Sequence, residues 1–503
     1  MNVRRVVATV GLTVGLTVGL AGCATAPLRQ VPATPEPEKR PPAPITARRG
    51  PLTDEERQMA RVAWKYFENA YHPESGLADA VAGFPSTTMW DTASYIAAIV
   101  SAYELGIIDR HKFDQRIVAL ITALNKMELF RGELPNKVYN SKTLEKVDYR
   151  NAPGEIGYSA IDLGRMLIWL RILRDRYPEH ANGVDRVALR WKFCNVIDER
   201  GLMYGAAVDK AGKVTYNQEG RLGYEEYAAK GFQLWGFRTD LASLPDPQAT
   251  INIYGVDIPY DTRDPRTLYA HSYVVTESAV LDGIELGWDF VSDCAEGPPS
   301  DSLLADYAQR IYDVQYARYC KTGVITARSE HQLDRAPYFV YDTIYSDGFP
   351  WNTITDKGLF QPESAAIATK AALGMWALWP SKYTDLLFRT IANEYDPEKG
   401  FYEGVYENGK GPIRAFTANN NGIILETLLF KVAGPSLPKQ RLGGIWEATI
   451  ADPFANNKPF CRPTCPRVAC TVTPCDPTRS PTPCPKPASP CDQPASPCPV
   501  VSR

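Results

Sequence analysis

The sequence alternates amphipathic helices with more apolar ones, and a glycine turn follows several of the amphipathic members. The turn occurs at residues 72–77, 198–202, 321–324 and 396–401. Glycine is expected there because a left-handed residue commonly ends a helix. The predicted inner, apolar helices are 90–105, 155–173, 224–237, 273–286, 364–378 and 417–430, and the predicted outer helices are 53–69, 112–126, 184–196, 301–319 and 383–393. Repeated helical pairs bury their apolar members in a common centre, so the pattern predicts an all-α fold, an α/α toroid of six helical hairpins.

The N-terminus resembles a bacterial lipoprotein signal. Two arginines precede an apolar run at 6–20, which is short for a membrane span. The run Leu-Ala-Gly-Cys at 20–23 resembles a lipobox, which implies cleavage before Cys23 and lipid attachment to its sulfur. An alanine rather than an aspartate follows, as in outer-membrane sorting; the alternative is an ordinary signal peptide that happens to end in cysteine. We expect residues 1–22 to be a signal peptide and the protein to be lipid-anchored in the cell envelope, at the outer membrane, facing the periplasm or the surface.

Two polar segments flank the predicted body at 52–436. Residues 23–51 are rich in proline, arginine and glutamate and predict an extended tether. Residues 437–503 form an extension and a tail of proline, threonine, serine and cysteine, in which Pro-Ala-Ser-Pro-Cys occurs twice. The tail cysteines show no CxxC pair and no histidine, which favours disulfides in an oxidising envelope over a zinc site. We expect both tails to be disordered.

Composition and motifs exclude several classes of function. The balance of 55 basic against 58 acidic residues gives a net charge of −3, so no nucleic-acid partner is expected. The five histidines lie in no metal-ligand spacing, so no metal site is expected. The sequence contains no P-loop, no GxSxG elbow and no dinucleotide fingerprint, and no cofactor is expected.

The predicted helix at 155–173 is apolar on nearly all sides, yet it carries two acids. Glu155 falls in its first turn, where a carboxylate suits the helix dipole, and Asp162 follows about two turns later on the same face. A buried charge needs water or a partner. Either the two acids line a wet cavity or each is paired, with Arg165 the candidate partner of Asp162. The sequence leaves both alternatives open.

The starts of the predicted inner helices are rich in acids, and in an α/α toroid these ends form the floor of the cleft. A single acid there is explained by helix capping, but a series beside aromatic and amide side chains fits that explanation less well. Paired acids cleave glycosides, since one protonates the leaving oxygen while the other activates water or attacks. The predicted catalytic residues are Asp91, Glu155, Asp162 and Glu225.

Aromatic and amide side chains near these acids suit a saccharide, whose ring faces pack on tryptophan and tyrosine and whose hydroxyls need donors and acceptors. The predicted substrate-binding residues are Trp90, Asn136, Tyr139, Tyr158, Glu226, Trp351, Asn352, Glu403 and Asn420. Scattered surface aromatics are the alternative explanation.

Several long motifs resemble a bacterial family described as domain of unknown function 3131. They are FPSTTMWDTASY at 84–95, FRGELPNKVYN at 130–140, the run at 153–170, GFYEG at 400–404 and TANNNGIILE at 417–426. The family has threonine before Asn-Gly where this chain has Asn420-Asn421. More distantly, the family resembles α/α-toroid glycosidases of the glucoamylase-like endo-β-1,2-glucanase type. The resemblance implies a glycosidase that acts on envelope or extracellular glucans.

These observations favour an envelope lipoprotein that hydrolyses a poly- or oligosaccharide with paired carboxylates, with a β-1,2-glucan-like substrate favoured. The expected partners are a carbohydrate and, through lipid on Cys23, a membrane. The alternative is a non-catalytic saccharide-binding lipoprotein of a polysaccharide synthesis or export pathway. A polysaccharide lyase is a third option, but it needs an Arg/Tyr or Tyr/His pair and a basic cleft, whereas these motifs are acidic.

Overall fold

Eleven α-helices build the framework within the residues that the structure describes. This computed structural model describes residues 47–244, 248–263, 272–288 and 303–438. The helices are α1 (Asp54–Asn69), α2 (Met89–Glu104), α3 (Arg110–Lys126), α4 (Ala160–Arg176), α5 (Ala181–Arg190), α6 (Tyr224–Leu234), α7 (Glu277–Leu281), α8 (Leu303–Thr322), α9 (Thr369–Leu378), α10 (Lys382–Ile391) and α11 (Ala418–Ala433). A π-helical turn, Asp282–Leu286, continues α7. None of the described helices has both the length and the apolar character needed to cross a membrane.

Six helices form an inner ring: α2, α4, α6, α7, α9 and α11. Within it α2 packs on α4, α4 on α6, α7 on α9, α9 on α11, and α11 returns to α2. Between α6 and the π turn, Lys230 Nζ lies 2.9 Å from Asp282 Oδ1 in a fully buried ion pair. Every residue of α9 is buried, as its apolar sequence predicts, because a helix that is apolar all round is stable only when it is enclosed.

The other five helices lie outside the ring. The helix α1 packs on α11, α3 on α2, α5 on α4, α8 on α7, and α10 on α9. Between α6 and α7 the described residues form a β-hairpin instead of an outer helix. The described chain therefore shows six inner and five outer helices, which supports the toroid architecture but not a count of six helical hairpins.

Short strands occupy many of the connections, a feature that the all-α prediction did not include. They are β1 (Ser86–Thr88), β2 (Leu129–Phe130), β3 (Leu134–Pro135), β4 (Val138–Asn140), β5 (Lys146–Val147), β6 (Tyr204–Val208), β7 (Val214–Gln218), β8 (Gln248–Ile253), β9 (Val256–Asp261), β10 (His331–Gln332), β11 (Phe339–Asp342), β12 (Tyr345–Ser346), β13 (Phe349–Pro350), β14 (Thr353–Ile354), β15 (Ala366–Ala368), β16 (Tyr395–Asp396), β17 (Gly400–Phe401), β18 (Gly404–Tyr406) and β19 (Pro412–Ile413).

These strands pair antiparallel into two- and three-stranded sheets. The largest sheets have the orders β1-β4-β5, β10-β11-β14 and β15-β18-β19. In the first, Thr87 pairs with Tyr139, and in the last, Ile367 pairs with Val405. Because β1 leads directly into α2 and β15 into α9, the small sheets fix the loops at the N-terminal ends of inner helices.

The glycines of the four predicted turns have the left-handed backbone that was expected of them. The φ angles of Gly76, Gly201, Gly323 and Gly400 are 83°, 77°, 74° and 112°. At Gly201 a Cβ atom would also lie 2.3 Å from the backbone nitrogen of Asp240, so only glycine fits. The positive φ is thus confirmed, but of the four only Gly323 directly follows a helix, α8, and Gly400 begins β17.

The first described residues, which fall in the predicted tether, pack on the helical body. The backbone nitrogen of Arg48 donates to the carbonyl of Ala377 at 2.8 Å, and its Nη2 lies 2.7 Å from Asp385 Oδ1. The guanidinium of Arg49 lies 4.0 Å from the ring centroid of Phe430. The contacts of the body thus extend beyond residue 52 towards the N-terminus. Cys23, the signal peptide and the cysteine-rich tail lie outside the described residues.

Candidate active site

Side-chain caps place acids and amides at the N-terminal ends of the inner helices. At α2 the hydroxyl of Thr88 accepts a hydrogen bond from the backbone nitrogen of Asp91 at 3.1 Å. At α11 the hydroxyl of Thr417 accepts from Asn420 in the same way, also at 3.1 Å. Each cap satisfies an otherwise unpaired N–H group at a helix start, where the dipole also favours negative charge.

At α4 the cap corrects the predicted helix boundary. The hydroxyl of Ser159 accepts from the backbone nitrogen of Asp162 at 3.2 Å, so the helix begins at Ala160. Glu155 therefore lies in the loop before α4, and the prediction that it shares a helix face with Asp162 is wrong. Lys146 pairs with Glu155 at 2.5 Å, and the backbone nitrogen of Arg131 donates to the same oxygen.

Asp162 and Glu219 share the hydroxyl of Ser159. That Oγ lies 3.0 Å from Glu219 Oε2 and 3.3 Å from Asp162 Oδ1. Glu219 comes from the loop before α6, and the same Oε2 accepts from the backbone nitrogens of Ala160 and Ile161 at 2.6 and 3.2 Å. The start of α4 thus holds one carboxylate from its own first turn and one from a distant loop.

Asp162 has an unusual environment for a carboxyl group. Burial, followed by the negative charges of Glu219 and Asp91, raises the pKa of Asp162 to about 7, while Lys137 opposes the shift. Burial also raises the pKa of Asp91, against the opposing effects of Thr88 and of nearby cations. Glu219 and Asp91 therefore both lie close enough to Asp162 to affect its ionisation, and we name the three carboxyl groups, Asp91, Asp162 and Glu219, the acid trio.

Arg165 does not pair with Asp162. Its Nη1 donates to Ser94 Oγ at 2.7 Å and to Asn419 Oδ1 at 3.0 Å, and its Nη2 lies 3.1 Å from Glu426 Oε1. Among the described residues no cation lies within ion-pair distance of Asp162. Of the two alternatives left open by the sequence, pairing holds for Glu155, with Lys146, and pairing with Arg165 is wrong for Asp162.

A second charged cluster lies next to the acid trio. Glu277 Oε1 accepts from Trp90 Nε1 at 3.0 Å and from Asn419 Nδ2 at 2.8 Å, while Lys370 donates to its other oxygen. Burial alone would raise the pKa of Glu277, but Lys370 and Arg165 outweigh it and lower that pKa. Trp90 and Asn419 are half-buried, so this cluster reaches the cleft surface.

Two further carboxyl groups, those of Glu330 and Glu403, interact with residues of this cluster. Tyr224 donates to Glu330, and burial together with the charge of Glu277 raises the pKa of Glu330. Glu403 accepts from the hydroxyl of Thr417 at 2.5 Å, and burial raises its pKa while Lys370 opposes the change. Buried carboxyl groups with raised pKa values are typical of functional sites, although structural networks produce them too.

The structure does not place Glu225 and Glu226 in the cleft. Glu225 is fully buried, and its Oε1 accepts from Gln218 Nε2 at 3.1 Å. An arginine from the end of the β8–β9 hairpin, Arg263, lies 3.9 Å from its other oxygen. Glu226 is also buried and accepts from the backbone nitrogen of Gly223 at 2.7 Å as part of a helix cap. Neither carboxylate is accessible to a substrate, so the predicted roles of both are wrong.

Three other predicted binding residues are fully buried in the loops before α4. Asn136 Nδ2 donates to the carbonyl of Val138 at 2.8 Å, and the hydroxyl of Tyr139 donates to the carbonyl of Glu128 at 2.6 Å. Tyr158 is enclosed as well, with less than one per cent of its surface exposed. These side chains hold the cleft loops together, and they cannot contact a saccharide without rearrangement.

The remaining predicted binding residues divide between the cleft and the scaffold. Trp90 is half-buried and donates to Glu277, and Glu403 interacts with Lys370, the cation that pairs with the same Glu277. Asn352 donates to Ser346 Oγ at 3.0 Å, and Asn420 donates to the carbonyl of Tyr402 at 3.0 Å, so both amides serve loop structure. Trp351 is half-buried and lies against the guanidinium of Arg318, 4.4 Å from the ring centroid.

Sequence reasoning missed Glu219, Arg221, Glu330 and Lys370. Lys370 carried a usable signal, because it is a lone charge in the first turn of a helix that is otherwise apolar. Glu219, Arg221 and Glu330 lie in loops before inner helices, where no periodicity marks them. Glu277 and Asn419 were visible in the helix-start motifs but were not chosen as site residues.

One set of metal-type side chains exists among the described residues, on the outer surface. Asp114, Glu179 and His180 approach one another there, but Arg110 pairs with both acids. His180 Nε2 also lies 2.9 Å from Asp114 Oδ1. These contacts explain the grouping as a surface ion-pair network.

A family model for proteins of unknown function, DUF3131, matches residues 58–434. The chain belongs to this family. No curated protein sequence matches it.

Solved structures of other proteins share this fold. A glucoamylase-like protein from Bacteroides caccae is 12% identical, with a TM-score of 0.54 over 80% of this chain and 97% of that one. An endo-β-1,2-glucanase from Chitinophaga pinensis, solved with sophorotriose and glucose, is 13% identical, with a TM-score of 0.54 over 76% and 94% of the two chains. This DUF3131 protein therefore has the helix-rich α/α-toroid fold of glucoamylase-like proteins.

Proposed function

We propose that this DUF3131 protein is a glycoside hydrolase that acts on a poly- or oligosaccharide. The acid trio carries the proposal. Asp162 and Glu219 share the hydroxyl of Ser159 at the start of α4, and Asp91 lies at the start of the neighbouring inner helix, α2. Among the described residues, no cation lies within ion-pair distance of Asp162. Two carboxyl groups with different protonation states are the minimum equipment for glycoside hydrolysis.

The environments of the trio suggest its roles. With a pKa of about 7, Asp162 is about half protonated at pH 7, so a large share of the molecules can give a proton to the glycosidic oxygen as the bond to the anomeric carbon breaks. The second carboxylate, Glu219 or Asp91, has one of two roles. It accepts a proton from a water molecule that attacks the anomeric carbon, or it attacks the anomeric carbon directly. Trp90, in the neighbouring cluster, offers a half-buried ring to the sugar.

A β-glucan is the favoured substrate class, and a β-1,2-linked glucan is the first to test. Support comes from the fold shared with the Chitinophaga pinensis enzyme, which is an endo-β-1,2-glucanase. The carboxyl groups of the acid trio also suit a neutral polysaccharide better than an anionic one.

We further propose that the protein is an envelope lipoprotein held at the outer membrane. The support is the Leu-Ala-Gly-Cys run at 20–23, after a short apolar segment with two preceding arginines. Lipid on Cys23 would tether the helical body through the proline-rich segment that follows.

The hydrolase proposal is tested by removing one charge at a time. Asp162→Asn, Asp91→Asn and Glu219→Gln keep side-chain shape, and Glu155→Gln is the matched control because its carboxylate is paired outside the trio. We expect Asp162→Asn, and at least one of the other two, to cleave a linear β-1,2-glucan about 10²- to 10⁴-fold more slowly than the parent, with the control unchanged. Release of reducing ends from a panel of linear and cyclic glucans is the measurement.

Two results would replace this proposal. If the parent binds glucans in calorimetry but releases no reducing ends from any of them, the non-catalytic saccharide-binding protein takes its place. If all three trio variants cleave like the parent, the reaction does not use these acids.

A further inference from the structure

Arg221 is a half-buried cation whose side chain has no hydrogen-bond or ion-pair partner among the residues that the structure describes. Its guanidinium lies 5.5 Å from the ring centroid of Tyr273, and within the described part of the chain it makes no side-chain hydrogen bond or ion pair. The other arginines near the cleft, Arg165 and Arg328, are tied by several hydrogen bonds each. An arginine has five N–H donors, so Arg221 keeps donors free for a ligand.

The free guanidinium lies beside the acid trio. It interacts electrostatically with Glu219 and with the hydroxyls of Tyr224, Tyr273 and Tyr341. Tyr341 stacks on Tyr273 with centroids 4.0 Å apart and planes at 8°, so the two rings form a fixed wall next to Arg221. Glu219 is the carboxylate that shares a hydroxyl with Asp162, which places Arg221 next to the reacting groups.

Tyr149, from another loop, interacts electrostatically with Arg221 and Tyr341. It is 67% exposed, at the tip of a turn in which Asp148 Oδ1 accepts from the backbone nitrogens of Arg150 and Ala152 at 2.8 and 2.9 Å. Although water reaches its ring, surrounding protein and the charges of Asp162 and Glu219 raise the pKa of Tyr149. The exposed ring is therefore available to a ligand at a place where these charges act.

We propose that Arg221 and Tyr149 form a subsite that binds one neutral pyranose ring beside the acid trio. The guanidinium donates to adjacent hydroxyls of the ring, and the exposed face of Tyr149 packs on its C–H face. The sugar is neutral because Glu219 lies beside the guanidinium, and its carboxylate would repel an anionic sugar. The subsite rests on the proposed glycosidase function and specifies where that reaction holds its substrate.

The experiment measures saccharide binding apart from cleavage. All variants carry Asp162→Asn in the full chain, so that the ligands are not cleaved during the measurement. Binding is measured by calorimetry with neutral linear gluco-oligosaccharides of β-1,2, β-1,3, β-1,4 and α-1,4 linkage. An oligogalacturonate serves as the anionic probe. We expect Arg221→Gln and Tyr149→Ala each to weaken the best neutral ligand about tenfold or more, and Tyr149→Phe, which keeps the ring, to weaken it less than threefold. Arg221→Lys keeps the charge but not the planar fork and should weaken binding at an unchanged melting temperature.

Matched controls separate the subsite from general effects. Arg238→Gln removes an exposed arginine that pairs with Asp240, and Tyr338→Ala removes a tyrosine that is 60% exposed; neither should change binding. The inference is overturned if Arg221→Gln and Tyr149→Ala bind as the parent does, if only the oligogalacturonate binds, or if no oligosaccharide binds.

The outcome is distinguishable from failure of the hydrolase proposal. Loss of binding in the two variants of a parent chain that never releases reducing ends supports the subsite and overturns the hydrolase. Cleavage by the parent that both variants retain in full supports the hydrolase and overturns the subsite.

Discussion

At the scale of single residues, environment rather than identity distinguishes the acids of this protein. Glu155 and Asp162 were predicted as equivalent members of one helix face, but Lys146 pairs with Glu155, whereas Asp162 has carboxylate neighbours. Lys146 and backbone hydrogen bonds lower the pKa of Glu155 despite its partial burial, and burial with nearby negative charge raises that of Asp162. One carboxyl group is thereby kept charged and the other poised to carry a proton.

The raised pKa of Asp162 has a consequence for stability that depends on pH. The folded protein binds this proton more tightly than the unfolded chain, whose aspartates have a pKa of about 3.9. The resulting stabilisation is complete below about pH 4 and is lost as the pH rises through about 7. Asp162→Asn removes this dependence, so its melting temperature relative to that of the parent should rise between pH 4 and pH 8. Thermal unfolding followed by circular dichroism at each pH is the measurement.

The ionisation of Asp162 also predicts how the activity depends on pH. If Asp162 is the proton donor, kcat/KM should decline with one ionisation as the pH rises above about 7. Glu155→Gln serves as the control and should leave both profiles unchanged. A difference in melting temperature that stays constant with pH would contradict this account of Asp162.

At the scale of elements, glycines set how closely the inner helices approach. Gly164 of α4 and Gly231 of α6 face each other: a Cβ on Gly231 would lie 2.0 Å from the carbonyl oxygen of Gly164, and one on Gly164 would lie 2.5 Å from Cβ of Ala228. Since α4 carries Asp162 and α6 follows the loop that carries Glu219, this crossing helps to fix the spacing of the acid trio.

Gly231→Ala should therefore force the two helices apart. We expect a loss of about 1–3 kcal/mol in the free energy of unfolding, because the atom it would strike is backbone and cannot rotate away. Urea denaturation is the measurement. Gly154→Ala is the control, since a Cβ at that loop position meets no atom within 4 Å, and equal stability of the two variants would show that the crossing tolerates expansion.

At the scale of the whole molecule, the ring brings together charges that are far apart in sequence. Arg165 lies 120 positions from Glu285 and 261 from Glu426, yet it contacts both in the fully buried centre. The same guanidinium lies 4.7 Å from the ring centroid of Trp90 and holds Asn419. The buried centre of the ring thus supports the floor of the cleft, and breaking one member leaves a buried charge unpaired.

The proposed lipid anchor is also a property of the whole molecule, because it acts through the chain that precedes the body. Cys23→Ser should release the protein from membranes or stall its processing, while the helical content of the body stays unchanged. Fractionation of cells that express the parent and the variant, with immunodetection, is the measurement. Fully processed Cys23→Ser protein that still sediments with membranes would show that lipid at this position is not the anchor.

Local patterns in the sequence were enough to predict the helices, with errors at their ends, the inner and outer classes, the positive φ of the turn glycines, and two members of the acid trio as candidates. Apolar periodicity and capping residues act within a few neighbours along the chain, so the sequence placed Asp91 at the start of a buried helix and Asp162 on one, although about two turns from its start rather than in its first turn. The same local signals favoured Glu225 and Glu226, which look alike in sequence but lie buried against other parts of the chain.

Which acids lie next to one another, and which are paired with cations, depends on tertiary contacts. Glu219 and Arg221 come from an irregular loop, and nothing local marks them, because their neighbours at the cleft belong to other helices and loops. Arg165 does not neutralise Asp162 because its guanidinium is bonded to Ser94, Asn419 and buried glutamates. Desolvation and charge pairing are set by residues that are distant in sequence, so no pattern along the chain could predict them.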